Sequence, residues 1–409
     1  MRIGIGISRQ TDISSALQEA FWQAKTQLEE KEITLCLLFS SPEFASLSLL
    51  KTLHIYLPHT PIIGASTFGI ILNSHIYRHS LAICLIHSEN SKISVAKVQD
   101  IRKKSALIAG QELGKKLLED FRGEKRDFAM VFCDGMLEEG SRLILGLQEI
   151  LGTSFPVTGG SASDNLKFKQ TYLYFNDELL TDAAVGVLWG GKIVFNLSSR
   201  HGWKPLGKSR TVTQSKGNII QEIDNQPAIN LYKDYFAKEI PFLKKDLKYI
   251  STLYPMGVYL EGEKEYLLRN ILSIEEDGSL VCQGDIPNNS TIRLMIGTKD
   301  SCISASQQAT EELMKEFSFS TLITKKIDIV FIFNSVSRYV LLRRLAEEEL
   351  KTVQTTIQKN ISDKSIYQSL DIPMIGFYTY GEHAPLKALY YQGRSHFHNQ
   401  SIVLTAVGD

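Results

Sequence analysis

The sequence carries no surplus of charge: 45 Lys and Arg balance 45 Asp and Glu over 409 residues. A nucleic-acid-binding domain ordinarily shows a basic excess or a basic stripe. Neither is present, which disfavours a nucleic-acid partner. No apolar run approaches the ~20 residues that span a bilayer, so no membrane insertion is expected. The opening stretch, Met1-Arg2-Ile3-Gly4-Ile5-Gly6-Ile7-Ser8, turns polar too soon for the apolar core of a secretory signal. Cysteine is sparse and scattered: Cys36, Cys84, Cys133, Cys282 and Cys302, with no Cys-x-x-Cys pair. An odd count without motif argues against a disulfide framework or a cysteine zinc site and fits a reducing compartment. A cytoplasmic protein is the expectation.

Catalytic and cofactor signatures are missing too. Gly64-Ala65-Ser66-Thr67-Phe68-Gly69 has one residue too many for a nucleophile elbow, and extended sequence follows it where a helix is required. No Ser–His–Asp set is visible. Gly4-Ile5-Gly6 is followed by Arg9 where the dinucleotide fingerprint needs its third Gly, and no P-loop occurs. An enzyme is not expected.

What is present is a pattern that recurs three times: strand, helix, strand, helix, strand. In the first unit the strands are residues 3–7, 33–39 and 61–63, with a first helix capped by Thr11 or Asp12 and striped at helical spacing. The second has strands 93–98, 128–133 and 156–158, with helices striped over 106–121 and 136–151. The third has strands 292–296, 327–333 and 373–375, with helices 304–317 and 338–354. Antiparallel partner strands follow the third strands at 81–86, 184–189 and 402–407, and segments 172–175 and 193–197 flank the middle one. A stretch of different character, roughly 200–290, separates units two and three. The fold class is α/β, with mixed sheets built from three repeated units and added hairpins.

Ligands in α/β sheets bind beyond the carboxyl ends of strands. In each unit the residues after the third strand are Gly with small hydroxyl side chains: Gly64-Ala65-Ser66-Thr67, Gly159-Gly160-Ser161-Ala162-Ser163-Asp164-Asn165, and Gly376-Phe377-Tyr378-Thr379-Tyr380-Gly381-Glu382. Each alone reads as a turn. Three equivalent bends point to one polar cleft, because Gly admits a ligand to the backbone and hydroxyls orient it. Ser40, Asp134 and Asn334, after the second strands, read as N-caps. Arg269, amid apolar strand residues, has a fork suited to a carboxylate, with a surface salt bridge as the bland alternative. The runs Glu347-Glu348-Glu349 and Arg343-Arg344 read as solvated helix faces. His75 with His79, and His396 with His398, lack a third metal donor, and structural use is the simpler reading. His201, in His201-Gly202-Trp203, is the histidine best placed by sequence to hold a haem iron.

At these residues the chain resembles the FIST family (F-box and intracellular signal transduction proteins). The resemblance runs through the first two bends, Ala184-Val185-Gly186-Val187, His201-Gly202-Trp203-Lys204-Pro205-Leu206-Gly207 and Glu222-Ile223-Asp224-Asn225-Gln226-Pro227. It continues through Leu268-Arg269-Asn270-Ile271-Leu272, the third bend and Phe397-His398-Asn399-Gln400. It implies an N-terminal sensory domain over residues 1–225, a C-terminal domain over 226–409, and a small ligand such as an amino acid. Some relatives of this kind bind haem and report nitric oxide. Where many members have an acidic residue after the second Gly of the first bend this chain has Ile70, and where many have Cys before the late Gly-Glu it has Tyr380.

The leading expectation is therefore a small-ligand sensor whose cleft is lined by Ser66, Thr67, Gly160, Ser161, Asp164, Arg269, Tyr380 and Glu382. No cofactor is expected. No length remains after Asp409 for an output domain, so signalling would run through a separate partner protein. The alternatives are a haem-based nitric-oxide sensor using His201, a hydrolase acting through Ser66 or Glu382, and an interaction scaffold.

Overall fold

The computed structural model describes residues 1–121, 123–236, 240–263, 265–318, 326–361, 371–387 and 392–409. Unit one comprises β1 (Arg2–Ser8), α1 (Ile13–Gln27), β2 (Leu35–Ser40), α2 (Leu47–Tyr56), β3 (Ile62–Ser66), a hairpin of β4 (Ile70–Leu72) and β5 (His75–Tyr77), and β6 (Leu81–His87). Unit two repeats the order: β7 (Ser91–Gln99), α3 (Ile101–Lys104), α4 (Ala106–Glu119), β8 (Arg126–Cys133), α5 (Gly140–Leu151), β9 (Val157–Ser161), the hairpin β10 (Leu173–Phe175) and β11 (Glu178–Leu180), and β12 (Ala183–Gly191).

Unit three opens with β13 (Val194–Arg200) and is then interrupted. The insert contains β14 (Lys204–Lys216), β15 (Ile219–Ile223), β16 (Gln226–Pro227), α6 (Asn230–Phe236), α7 (Ile240–Leu253), β17 (Met256–Val258), β18 (Leu267–Arg269), β19 (Ile271–Ile274), β20 (Leu280–Cys282) and β21 (Thr291–Ile296). Its strands form an eight-stranded sheet of their own. The unit resumes with α8 (Lys299–Ser318), β22 (Ile329–Ser335), α9 (Val336–Leu342), α10 (Ala346–Asn360), β23 (Met374–Thr379), the hairpin β24 (Glu382–Lys387) and β25 (Gln392–His398), and β26 (Ile402–Gly408).

This corrects the sequence reading of unit three. The strand at 292–296 belongs to the insert, pairing with β14 and β17. The true first strand is β13, which pairs with β26. Spacing misled because the insert ends on a strand just ahead of α8, where a contiguous repeat would have placed its own.

The three remaining sheets have equivalent orders: β1-β6-β2-β3-β10-β11, β7-β12-β8-β9-β24-β25 and β13-β26-β22-β23-β4-β5. Each takes four strands from its own unit, with the second and third strands parallel. A hairpin from another unit then completes it. Unit two lends to unit one, unit three to unit two, and unit one to unit three. The exchange closes a ring.

The middle strands are buried on both faces, which is why they read as continuous apolar runs without alternation. In β2, Leu35, Leu37 and Phe39 join a core shared by all three sheets, whereas Cys36 and Leu38 face the helices of unit one. The same division of alternate residues sends Phe128, Met130 and Phe132 inward from β8, and Ala129, Val131 and Cys133 outward toward α4 and α5. At the centre, Phe39, Phe132, Phe333 and Phe377 touch across the sheets with ring centroids 4.9–5.8 Å apart. Edge-to-face pairs of this kind add ~0.5–1.5 kcal/mol each beyond their buried area.

Candidate functional site

The three bends are the crossing points of this exchange. After β3, β9 and β23 the chain leaves its own sheet and enters the next, so the three exits meet above the phenylalanine cluster. Close crossing needs small residues. A Cβ on Gly160 would lie 2.6 Å from Thr379 Cγ2 and 2.9 Å from the Gly381 carbonyl oxygen.

Where they meet, the bends bond directly to one another. The Ser163 N–H donates to the Ser66 carbonyl at 3.0 Å, and the Ser161 N–H to the Gly381 carbonyl at 2.7 Å. Ser163 Oγ accepts the Phe68 N–H at 2.8 Å and donates to the Tyr378 carbonyl at 2.5 Å. Thr67 Oγ1 reaches the same carbonyl at 2.9 Å, and the Tyr378 N–H donates to the Gly69 carbonyl at 3.0 Å. One serine hydroxyl thus ties all three bends.

The structure brings seven of the eight sequence-derived residues to this junction. Ser66 Oγ donates to the Ser163 carbonyl and accepts the Tyr172 N–H. Ser161 Oγ lies 3.3 Å from Cys133 Sγ. Gly160 stands opposite Glu382 in the β9–β24 register. Asp164 holds the outer edge: its carboxylate accepts the N–H groups of Lys167, Phe168, Lys169 and Gln170 and the Tyr380 hydroxyl, the last at 2.5 Å. Burial pushes its pKa up, but these donors outweigh burial and hold it below the usual carboxylate range. The ring of Phe168, 46% exposed, stacks on Tyr380 at 4.5 Å and covers the junction from outside. Glu382 is fully buried; burial raises its pKa to about 8, against the pull of the Thr379 hydroxyl and the Ser401 N–H.

Arg269 is not at the junction. Its guanidinium donates to the carbonyls of Leu268, Phe397 and Asp285, where the insert meets β25. Burial lowers its pKa to about 10.

Ser40, Asp134 and Asn334 are structural, though not as helix caps. Ser40 Oγ bonds the Tyr174 hydroxyl at 2.6 Å. Asp134 accepts from Met136, Thr171 and Asp182 and pairs with Arg102. The caps of α2 and α9 are Ser46 and Ser335. Asp12 does cap α1.

A thiol–imidazole pair also lies beneath the second bend: His383 Nε2 is 3.7 Å from Cys133 Sγ, and its Nδ1–H donates to the Val131 carbonyl. Burial lifts the thiol to about 12 and drops the imidazole to about 4. Both are therefore neutral, and a neutral thiol is not a nucleophile. Sequence reasoning missed this pair because neither residue stands in a motif.

Residues 34–226 match the family model described as the FIST N domain, and residues 228–385 match the FIST C domain. The chain belongs to the FIST family. FIST domains are associated with signal transduction and have been proposed as sensory domains. The uncharacterized protein MJ1623 of Methanocaldococcus jannaschii is 25% identical over 261 residues, covering 59% of this chain and 49% of its own length. The chain thus spans about half of that relative. The uncharacterized protein Rv0628c of Mycobacterium tuberculosis is 23% identical over 298 residues, 70% of this chain and 74% of its own.

This FIST protein has a second polar centre that sequence reasoning misread. Glu349, taken with its neighbours as a solvated face, is fully buried, since α10 turns positions 346, 349, 350 and 353 inward. It forms an ion pair with the equally buried Arg338 and accepts from Ser306 Oγ at 2.7 Å and Asn334 Nδ2 at 2.8 Å. Arg338 also donates to the carbonyls of Cys302, His201 and Gln400. A single pair therefore fastens α8, α10, β22 and the start of the insert.

His201 is 6% exposed. Its Nδ1 accepts the Trp203 N–H at 2.9 Å, so the neutral ring carries its proton on Nε2. Burial is the main cause of its lowered pKa, which favours that neutral form. A haem-ligating imidazole needs its lone pair on the atom facing the iron, with the other nitrogen donating. His201 as held here offers an N–H instead, and does not fit haem. Three further histidines have local partners: His75 and His79 pair at the surface with Glu347 and Glu43, and His398 Nε2 donates to the Ala384 carbonyl.

Proposed function

We propose that this FIST protein is a cytoplasmic sensory module that binds a small metabolite, in the class of amino acids or small organic acids. The observation that carries the reading is the junction itself. One patch of small residues, under the half-exposed ring of Phe168 stacked on buried Tyr380, is hydrogen-bonded to all three units, so a ligand that parts or tightens the bends shifts three sheets together. Seven residues of the expected cleft contribute: Ser66, Thr67, Gly160, Ser161, Asp164, Tyr380 and Glu382. Output runs through a separate protein. Five buried thiols with no disulfide support a reducing compartment. No haem is assigned, given the tautomer of His201, and no hydrolysis through Ser66 or Glu382, since the Ser66 hydroxyl bonds the Ser163 carbonyl and the Tyr172 N–H and the Glu382 carboxyl bonds Thr379 and the Ser401 N–H.

A thermal-shift screen of the full chain, unfolded and refolded to release carried-over ligand, tests this. A ligand at a hundred times its Kd adds ~2.7 kcal/mol. The expected result is a saturable shift with at least one amino acid or organic acid, weakened by Asp164→Asn. An absence of shift across the panel refutes the reading.

A further inference from the structure

The outer surface of unit one carries apolar side chains where a solvated helix face is expected. α1 and α2 bury their inner stripes against one sheet: Ala16, Leu17, Ala20, Phe21 and Ala24 from the first, Leu49, Leu50 and Leu53 from the second. On the side turned away from that sheet stand Trp22, 55% exposed, and Ile55, 74% exposed, with Leu47 half-exposed. The Trp22 ring lies 5.3 Å from that of buried Phe21 and 6.5 Å from that of Tyr56, which itself packs on Phe21 at 4.8 Å. These contacts join the two helices into one surface and hold the indole in place while leaving it in water. The other two tryptophans, Trp189 and Trp203, are buried. Exposed apolar surface held in this way marks a place where something else docks.

Charge decides what can cover this surface. Leu47, Lys51 and Ile55 fall at i, i+4 and i+8 and so share one ridge of α2. Lys25 stands one turn on from Trp22. Lys25 Nζ donates to the Lys31 carbonyl, which leaves its charge unmatched. Lys51 is exposed and, among the described residues, pairs with no carboxylate. α2 contains no Asp or Glu, and the one carboxylate of α1, Glu19, is bonded to Ser8 on β1. The face is therefore apolar and cationic. A second copy of the chain would set lysine against lysine across a two-fold interface. The cores of protein interfaces are depleted of Lys, yet Lys51 stands in the middle of the ridge. A bilayer surface accepts this pattern: aromatic rings settle at headgroup depth, aliphatic tips reach the acyl boundary, and lysines stay with anionic headgroups.

We propose that the α1–α2 face docks peripherally on an anionic lipid surface, with Trp22, Leu47 and Ile55 at the headgroup boundary and Lys25 and Lys51 against acidic headgroups. No helix among the described residues is long and apolar enough to cross a bilayer, so the contact is with the surface. The inference is independent of the junction, whose ligand binding neither requires nor excludes it.

The test uses the full chain with phosphatidylcholine vesicles, made with and without phosphatidylserine, at low and high salt. Co-sedimentation reads binding, and tryptophan emission reads the site, since Trp22 is the exposed indole. The expected result is co-sedimentation with the phosphatidylserine vesicles alone, a blue shift of emission, and loss of both at high salt as the screening length shortens. Lys51→Gln weakens binding about fivefold, the share of one lysine near an anionic surface, and Lys51→Arg restores it. Ile55→Ser weakens binding about tenfold and, being at the surface, leaves the melting temperature unchanged. Phe242→Ser, which removes the exposed ring of α7, leaves binding intact. Absence of co-sedimentation at low salt overturns the inference, as does equal binding to both kinds of vesicle. Binding that survives Ile55→Ser but fails in Phe242→Ser moves the contact to α7 and overturns it too. Two further results overturn it by naming another occupant. Polyglutamate that shifts the emission saturably where vesicles do not marks an acidic protein partner. A dimer in sedimentation equilibrium that Ile55→Ser dissolves marks a second copy of the chain.

Discussion

Ser163 offers the sharpest test of how the bends are joined. Its hydroxyl accepts the Phe68 N–H and donates to the Tyr378 carbonyl, in a fully buried position. In Ser163→Ala the Phe68 N–H is orphaned, at about 1–3 kcal/mol. The Tyr378 carbonyl keeps a donor, because Thr67 Oγ1 also reaches it. Losing the second donor costs only the net value of one hydrogen bond, about 0.5–1.5 kcal/mol. The single substitution should therefore destabilise by roughly 1.5–4.5 kcal/mol. Thr67→Val likewise leaves that carbonyl with Ser163. Only the double variant strips it of both hydroxyls, so its loss should exceed the sum of the two single losses by about 0.5–3 kcal/mol. Urea denaturation of the four proteins, with m-values compared to exclude a changed unfolded state, measures the cycle. Additivity within about 0.3–0.5 kcal/mol would refute the shared-acceptor geometry, and a Ser163→Ala cost near zero would refute the junction as a fastening.

Arg338→Met should destabilise by about 3–5 kcal/mol, since it leaves Glu349 buried without its cation; adding Glu349→Leu should recover part of that loss in the same urea assay, and further loss on the double substitution would contradict the pairing. Glu382 predicts a pH dependence. Its folded pKa of about 8 stands above the ordinary 4.5, so the native state keeps a proton that the unfolded chain releases. That contribution is complete below 4.5 and fades as pH rises toward 8. The neutral histidines, buried His383 near 4 and half-buried His396 near 3, act in the opposite sense below pH 6.5, so the comparison must be made against Glu382→Gln. That variant should flatten the decline between pH 5 and 8 by a few kcal/mol, and parallel stability curves would refute the assignment.

Much of the three-unit architecture could be read from the chain because its signals are local. Helix stripes, apolar strands and small-residue bends recur at similar spacing, and the partner strands β6, β12 and β26 fall where they were expected. The exchange of hairpins was not legible. β4 and β5 are three residues each, and nothing in Ile70-Ile71-Leu72 says that it will pair with β23, some 300 residues on. The first strand of unit three was misplaced for a related reason, since an insert with its own strands breaks the period. At the candidate site, small residues marked the bends, but the groups that fasten them, Ser163 and the Tyr378 carbonyl, gave no motif. Glu349 was hidden in an acidic run of which only the last residue faces the core.

The hairpin loans carry a consequence for the boundary that separates the two matched domains. Only the sheet of unit one is finished using residues before 226. The sheet of unit two waits for β24 and β25, and that of unit three for β4 and β5. A chain severed there would leave β9 and β23 as bare edges, each a template for a stranger's strand. The two matched domains are thus one object in mechanical terms, and neither can be lifted out whole.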